Sequence, residues 1–198
     1  QKRARRLKDL AEAESTLRDL AATEGLEVFD VGQGRGGECQ FLSTLYMMDS
    51  SSYEFIGGRL VWNFQRVDLL RADVARWLQT HQENWNGGEM LRSLVLMELG
   101  FGEETSEEIR QRRWERYLEG VRNYQLHQWG DNFTLLAISG VLRRVIIVFS
   151  VATKTLARYE VEPPVHWSEE KVSGLPVILR SSLSSRQSQD RWSVGVGC

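Results

Sequence analysis

The chain has 198 residues, of which 41% are hydrophobic and 26% charged, and its formal net charge is −2. This length and composition predict a globular protein with one sizeable core. The charge lacks the basic excess typical of nucleic-acid-binding proteins, and no apolar run reaches the roughly 20 residues that a membrane-spanning helix needs. We therefore expect neither a nucleic-acid partner nor a membrane span.

The chain contains two cysteines, Cys39 and the final residue Cys198. Two cysteines do not make the disulfide framework of a small secreted protein, so we expect an intracellular compartment, with the cytoplasm favoured. The chain begins at Gln1 without a methionine or a signal-peptide pattern, which suggests a fragment or a processed form. Organelle targeting therefore stays open.

Apolar residues at helical spacing predict an amphipathic N-terminal helix in residues 1–25, ahead of a main domain in residues 26–198. A strand at residues 26–31, a glycine-rich loop and a helix from Cys39 to Met48 follow. Residues 50–58 are predicted to be a loop. Further helices are expected to end near His81, to span residues 90–99, to begin in the acidic stretch 103–108, and to follow the turn at residues 129–131.

The apolar pattern changes its period in the last third of the chain. Residues 145–150 form a continuous apolar run, and residues 156–161 alternate between polar and apolar side chains. Residues 175–180 and 192–196 complete a strand-rich end. The sequence therefore predicts a fold that mixes helices and strands.

The stretch GQGRGGECQFL, residues 32–42, places four glycines ahead of Cys39. A cysteine in the first turn of a helix is a plausible nucleophile, because the helix dipole and the free N–H groups stabilise the thiolate. The amides of Gly37 and Glu38 could converge on the oxyanion of an acyl-transfer intermediate. These residues alone nevertheless favour the alternative interpretation, a buried cysteine acting as a small hydrophobe beside a flexible loop.

A cysteine nucleophile also needs a base, and the chain has only three histidines, His81, His127 and His166. The local pattern around each is more typical of a surface or capping residue. No Cys/His pair has metal-ligand spacing, and the phosphate-binding pattern GxxxxGK[ST] does not occur. The glycine-rich loop lacks the alternating strands and helices of a dinucleotide site. We expect no metal and no cofactor.

Three motifs occur in a fixed order: GECQFL at residues 37–42, LRADVARWL at residues 70–78, and WGDNFTLLAIS at residues 129–139, with the strand run VIIV following at residues 145–148. They resemble, in turn, the nucleophile motif D-G-x-C-[LF]-[FY], the helical pattern L-R-x-x-V, and the pattern W-G-x-x-x-E-L-x-A-L-S of the ovarian tumour (OTU) family. This family consists of cysteine proteases that remove ubiquitin. The resemblance spans roughly residues 26–196.

The resemblance implies an α+β, OTU-like cysteine protease fold with a central, mostly antiparallel sheet flanked by helices. Trp129 and the helix after it are expected to be structural, with Leu135, Leu136 and Ile138 in the core. The strands of the sheet are expected at residues 26–31, 145–150, 156–161, 176–179 and 192–196.

The resemblance also assigns the site residues. Cys39 stands at the nucleophile position, with Gly37 and Glu38 in the oxyanion loop. Gly36 stands where the family has its aspartate, and Arg191 stands where it has its histidine. An arginine cannot accept a proton near neutral pH, because its guanidinium remains protonated. His166 is the alternative base, although it comes one strand too early.

The incomplete triad predicts a non-catalytic module that binds ubiquitin or forms part of a larger protein assembly. The alternative is an active OTU-type deubiquitinase, a thiol hydrolase that cleaves ubiquitin isopeptide bonds through Cys39. Arg191 is expected close to Cys39, where its fixed positive charge would favour the thiolate.

Overall fold

The computed structural model describes residues 31–32, 34–83, 90–102, 105–126, 130–152, 155–162 and 177–182. It also describes Phe29, which lies outside any helix or strand, and eight residues between positions 8 and 23. These eight residues are helical. The division into residues 1–25 and 26–198 stays a prediction. Across the described part of the chain, no helix combines the length and apolar character needed to cross a membrane.

Beyond residue 31, the described part of the chain contains five α-helices. Their ends follow local chemistry. Asn63 caps the helix Phe64–Thr80 by accepting a hydrogen bond from the Gln65 amide, and two glutamates occupy the first turn of the helix Glu107–Arg122, where the helix dipole favours negative charge. The helices are α1 (Cys39–Met48), α2 (Phe64–Thr80), α3 (Leu91–Glu98), α4 (Glu107–Arg122) and α5 (Asn132–Leu142).

The last three described strands are β3 (Ile146–Ala152), β4 (Thr155–Val161) and β5 (Val177–Ser182). They form a three-stranded sheet in the order β4-β3-β5. β3 pairs antiparallel with β4 and parallel with β5. The strands predicted at residues 145–150 and 176–179 therefore share a sheet, as expected, whereas the strand predicted at residues 192–196 lies outside the described residues.

Two expectations for the first half of the chain were wrong. Residues 50–58 contain a strand of an antiparallel hairpin, β1 (Tyr53–Ile56) and β2 (Arg59–Trp62), rather than a loop alone. Gly57 and Gly58 connect these strands with φ of 57° and 76°, and a two-residue hairpin turn of this kind requires positive φ at both positions. The Gly-Gly pair, with Phe55 and Ile56 before it and the apolar residues 60–62 shortly after it, was a hairpin signal in the sequence.

The second expectation is the strand at residues 26–31, which is wrong at Phe29 and Val31 because both lie outside any strand, while its other four residues lie outside the described part of the chain. Side-chain contacts hold these residues instead of a strand ladder. The Val31 carbonyl accepts a hydrogen bond of 3.1 Å from the Trp62 indole, and the Phe29 ring stacks on Tyr46 with 4.4 Å between centroids. The alternating apolar pattern here reflects docking onto α1 and the hairpin.

The core lies where α2 packs against α4 and α5. Gly140 in α5 allows this close approach, because a β-carbon there would lie 2.4 Å from Cε2 of Trp77. Leu135 and Ile138 are fully buried in this core as predicted, and Leu136 is partly buried against it. The mixed class of helices and strands is thus confirmed. α1, which begins at Cys39, contacts both α2 and β5.

Candidate functional site

Cys39 is the first residue of α1, as the sequence predicted. At this position the thiol experiences the positive end of the helix dipole, which favours the thiolate. Cys39 is only 2% exposed, and Glu38, the residue at the N-cap position, is 0% exposed. The candidate nucleophile therefore lies beneath the surface.

The loop ahead of Cys39 depends on glycine for its backbone conformation. Gly34, Gly36 and Gly37 have φ of 61°, 106° and 72°, a region that residues with side chains rarely adopt. A β-carbon at Gly34 would also lie 2.8 Å from Cδ1 of Leu42. Gly36 is the residue predicted at the position of the family's aspartate, and an aspartate with this φ would be strained.

Arg35, within the glycine loop, makes a dense set of polar contacts with Glu38. Its backbone amide donates to Oε2 of Glu38 at 2.8 Å, and its Nη2 donates to Oε1 at 2.7 Å. Nε adds a third hydrogen bond, of 3.2 Å, to Oε2. Both oxygens of the Glu38 carboxylate therefore accept hydrogen bonds from Arg35.

The Arg35 guanidinium also reaches beyond the loop. Nη1 donates to Oδ2 of Asp68 on α2 at 3.2 Å, and Nη2 contacts the other carboxylate oxygen. The guanidinium carbon lies 4.5 Å from the ring centroid of Phe64 and 3.7 Å from that of Tyr124. Burial lowers the pKa of Arg35, but the hydrogen bonds and charges of Asp68 and Glu38 outweigh it and raise the pKa overall. Arg35 is thus firmly cationic.

Gln40, the residue after Cys39, ties α1 to the start of α5. Its Nε2 donates to the Asp131 carbonyl at 3.2 Å, and its Oε1 accepts a 2.7 Å hydrogen bond from the Thr134 hydroxyl. A β-carbon on Gly130 would lie 1.8 Å from the same Oε1. The glycine of the third motif is therefore needed for the Gln40 side chain to reach α5.

Asp131 joins α5 to α4. Its carboxylate accepts a 2.7 Å hydrogen bond from the Thr134 amide, which completes a capping box, and a 2.9 Å hydrogen bond from the Tyr117 hydroxyl. Burial raises the pKa of Asp131, although these hydrogen bonds oppose the shift. Burial, together with the nearby Asp131 charge, also raises the pKa of Tyr117.

Arg71, the arginine of the second motif, contacts both α1 and α4 from its position on α2. It is 1% exposed, its Nη2 donates to the Gly120 carbonyl on α4 at 2.9 Å, and its guanidinium carbon lies 4.7 Å from the Phe41 ring centroid. Burial lowers its pKa to about 10. Arg71 therefore links α1, α2 and α4.

Of the predicted site residues, the structure brings Gly36, Gly37, Glu38 and Cys39 together at the start of α1. Arg191 and the alternative base His166 lie outside the described residues, as do His127 and Trp129. His81 ends α2, where its Nδ1 donates to the Trp77 carbonyl at 2.8 Å, so its predicted capping role agrees with its position. Among the described residues, no cluster of His, Cys, Asp or Glu could hold a metal ion.

Three residues of the site were not predicted from the sequence. They are Arg35, within the glycine loop, and Asp68 and Tyr124, which contact Arg35. Arg35 had a signal, since it is the one charged side chain among the glycines of GQGRGG. Asp68 and Tyr124 had none, because they reach the loop only through the packing of α2 and the turn Tyr124–Leu126.

The chain is similar in fold to a solved structure described as "Structure of OTUD1 OTU domain". The superposition has a TM-score of 0.50 at 10% sequence identity and covers 98% of each chain. No family model matches the chain, and no curated protein matches it. At this level of identity the likeness shows the fold, which is OTU-like.

We expect Gly130→Ala to destabilise the protein by about 1–3 kcal/mol, because the new methyl group would overlap the Gln40 side chain. Urea denaturation of the variant measures this loss. Gln40→Ala removes the overlapping atoms, so the loss in the double variant should be smaller than the sum of the two single losses. Additive losses would contradict the contact.

A second prediction concerns the pH dependence of stability at Asp131. Its folded pKa is raised above the reference value of 3.8, so between the two pKa values the folded state binds more protons than the unfolded state. The stability of the wild type relative to Asp131→Asn should therefore fall as pH rises above about 4 and through the folded pKa of Asp131. Urea midpoints at each pH measure this difference.

The exposed carboxylate of Asp73 offers a matched control, because Asp73→Asn also removes one negative charge. The control reports the general effect of net charge on stability. A wild type that gains stability relative to Asp131→Asn over the same pH interval would contradict the assignment.

Proposed function

We propose that this chain is a non-catalytic, OTU-like binding module. The observation that carries the proposal is the backbone at Gly36, where φ of 106° occurs at the position of the family's aspartate. A side chain there would strain the loop, so the loop is built for glycine rather than for a triad member. The 2% exposure of Cys39 also supports the proposal, because a nucleophile must reach its substrate.

The sequence supports the same proposal at a second position. Arg191 stands where the family has its histidine, and a guanidinium cannot remove a proton from a thiol near neutral pH. Loss of one member of such a catalytic unit costs several powers of ten in rate.

Ubiquitin is the first candidate ligand in this proposal. The resemblance is to proteases that remove ubiquitin, and the similar solved structure is an OTU domain. A fold does not by itself specify a ligand. A module that lost its triad could keep the surface that contacts ubiquitin, or it could contact the other subunits of an assembly.

An active deubiquitinase is the second candidate function. The observation that favours it is Cys39 at the first position of a ten-residue helix, where the dipole stabilises a thiolate. This function would require His166 or another base to approach the thiol.

Two assays compare the candidates: cleavage of di-ubiquitin and reaction with a ubiquitin probe that carries a C-terminal electrophile. We expect no cleavage that depends on Cys39, with Cys39→Ala as the control. A titration with unmodified ubiquitin measures binding, which should be equal in the wild type and Cys39→Ala. Cleavage at about 1 per second or more, abolished by Cys39→Ala, would overturn the proposal.

Arg191→His tests the lost base directly. We expect the imidazole to raise the rate of reaction with the electrophilic probe, because it can accept the thiol proton.

Addition of Gly36→Asp should lower the melting temperature, since an aspartate would be strained at φ of 106°. An unchanged melting temperature would contradict the role of this glycine.

A further inference from the structure

The glycine loop requires an anchor to keep one conformation. Glycine loses more conformational freedom on folding than any other residue, and three of the four residues from position 34 to 37 are glycine. Arg35 is the exception, and its side chain contacts three separate elements. These are the start of α1 through Glu38, α2 through Phe64 and Asp68, and the turn Tyr124–Leu126 through the Tyr124 ring.

The α2 contacts follow from helix spacing. Phe64 and Asp68 are four residues apart and lie on the same face of α2, so they present a ring and a carboxylate to one guanidinium. Tyr124 covers the guanidinium as a second ring. A planar, delocalised guanidinium suits this arrangement, because it can form forked hydrogen bonds and stack on aromatic faces simultaneously.

The contacts of Arg35 differ in exposure. The Glu38 side chain is 0% exposed, whereas the Asp68 side chain is 49% exposed. The inner pair is therefore shielded from water, and the outer pair is partly open to it. Removal of Arg35 would leave the Glu38 charge buried without its partner, which favours movement of Glu38 toward water.

We propose that Arg35 is a latch that holds the glycine loop and the start of α1 in the conformation in which Cys39 is buried. Glu38 precedes Cys39 directly, so movement of Glu38 toward water would open the start of α1. The burial of Gly37, Glu38 and Cys39 describes the closed state. The latch controls access to the thiol whether or not the chain cleaves ubiquitin conjugates.

Alkylation of Cys39 by iodoacetamide tests the latch. All variants carry Cys198→Ser, which leaves Cys39 as the sole thiol. The rate is followed by mass spectrometry of the native protein at several urea concentrations below the unfolding transition. A reaction through local opening depends little on urea, whereas a reaction through global unfolding follows the full denaturant slope.

We expect Arg35→Ala to raise the alkylation rate roughly ten- to a hundredfold with little urea dependence, because it removes several charge-assisted hydrogen bonds. Arg35→Lys should also raise the rate, since an ammonium cannot form the fork or the stacked arrangement. Asp68→Asn should raise it about twofold to fivefold, because the outer pair is partly exposed. Arg76→Ala is the matched control, since Arg76 forms an exposed ion pair with Asp73 on the same helix and should leave the rate unchanged.

Two results would overturn the latch. One is an unchanged rate in both Arg35 variants, which would mean that other parts of the chain cover Cys39. The other is a rate increase with the urea dependence of global unfolding, which would make Arg35 only a stabilising residue. The double variant Arg35→Ala, Asp68→Asn should match Arg35→Ala, because Asp68 acts through Arg35; additive effects would overturn that link. If Arg35→Ala does not fold, the alkylation rates of Arg35→Lys and Asp68→Asn test the latch instead.

Discussion

The buried ion pair between Arg35 and Glu38 is the interaction on which the candidate site depends. A carboxylate removed from water is costly unless it is paired and its lone pairs are satisfied. Three Arg35 donors satisfy Glu38, and the rings of Phe64 and Tyr124 shield the pair. This arrangement gives a glycine-rich loop a defined conformation and places Cys39 at the first turn of α1.

A second polar network holds the other side of α1. Gln40 contacts the Asp131 carbonyl and the Thr134 hydroxyl, and the Asp131 carboxylate accepts from Tyr117. The network thereby joins the nucleophile motif to the W-G motif and to α4. Because Gln40, Thr134 and Tyr117 are buried and Asp131 is partly buried, loss of one member would leave another unsatisfied, so the network specifies how α1, α4 and α5 meet.

The fold of the chain and the chemical groups of its candidate site bear on function separately. Cys39 begins α1 at a helix N-terminus, and the fold is OTU-like. Gly36 has a φ of 106°, at which an aspartate would be strained. A fold can carry different functions because function depends on the specific groups in its sites.

The sequence by itself determined the helices beyond residue 31, the start of α1 at Cys39 and the strand-forming runs of the last third, because periodicity and capping are local properties of the chain. The pairing of β3 with β5 was expected from the resemblance and is confirmed by the structure. The assignment of Gly36 to the aspartate position stays a prediction. Tertiary structure decided that Phe29 and Val31 dock through side chains, since the same alternation suits a strand or a docked segment. It also decided that Asp68 reaches Arg35, residues 33 positions apart in the chain. Contacts between distant residues depend on how helices pack, and no local pattern encodes them.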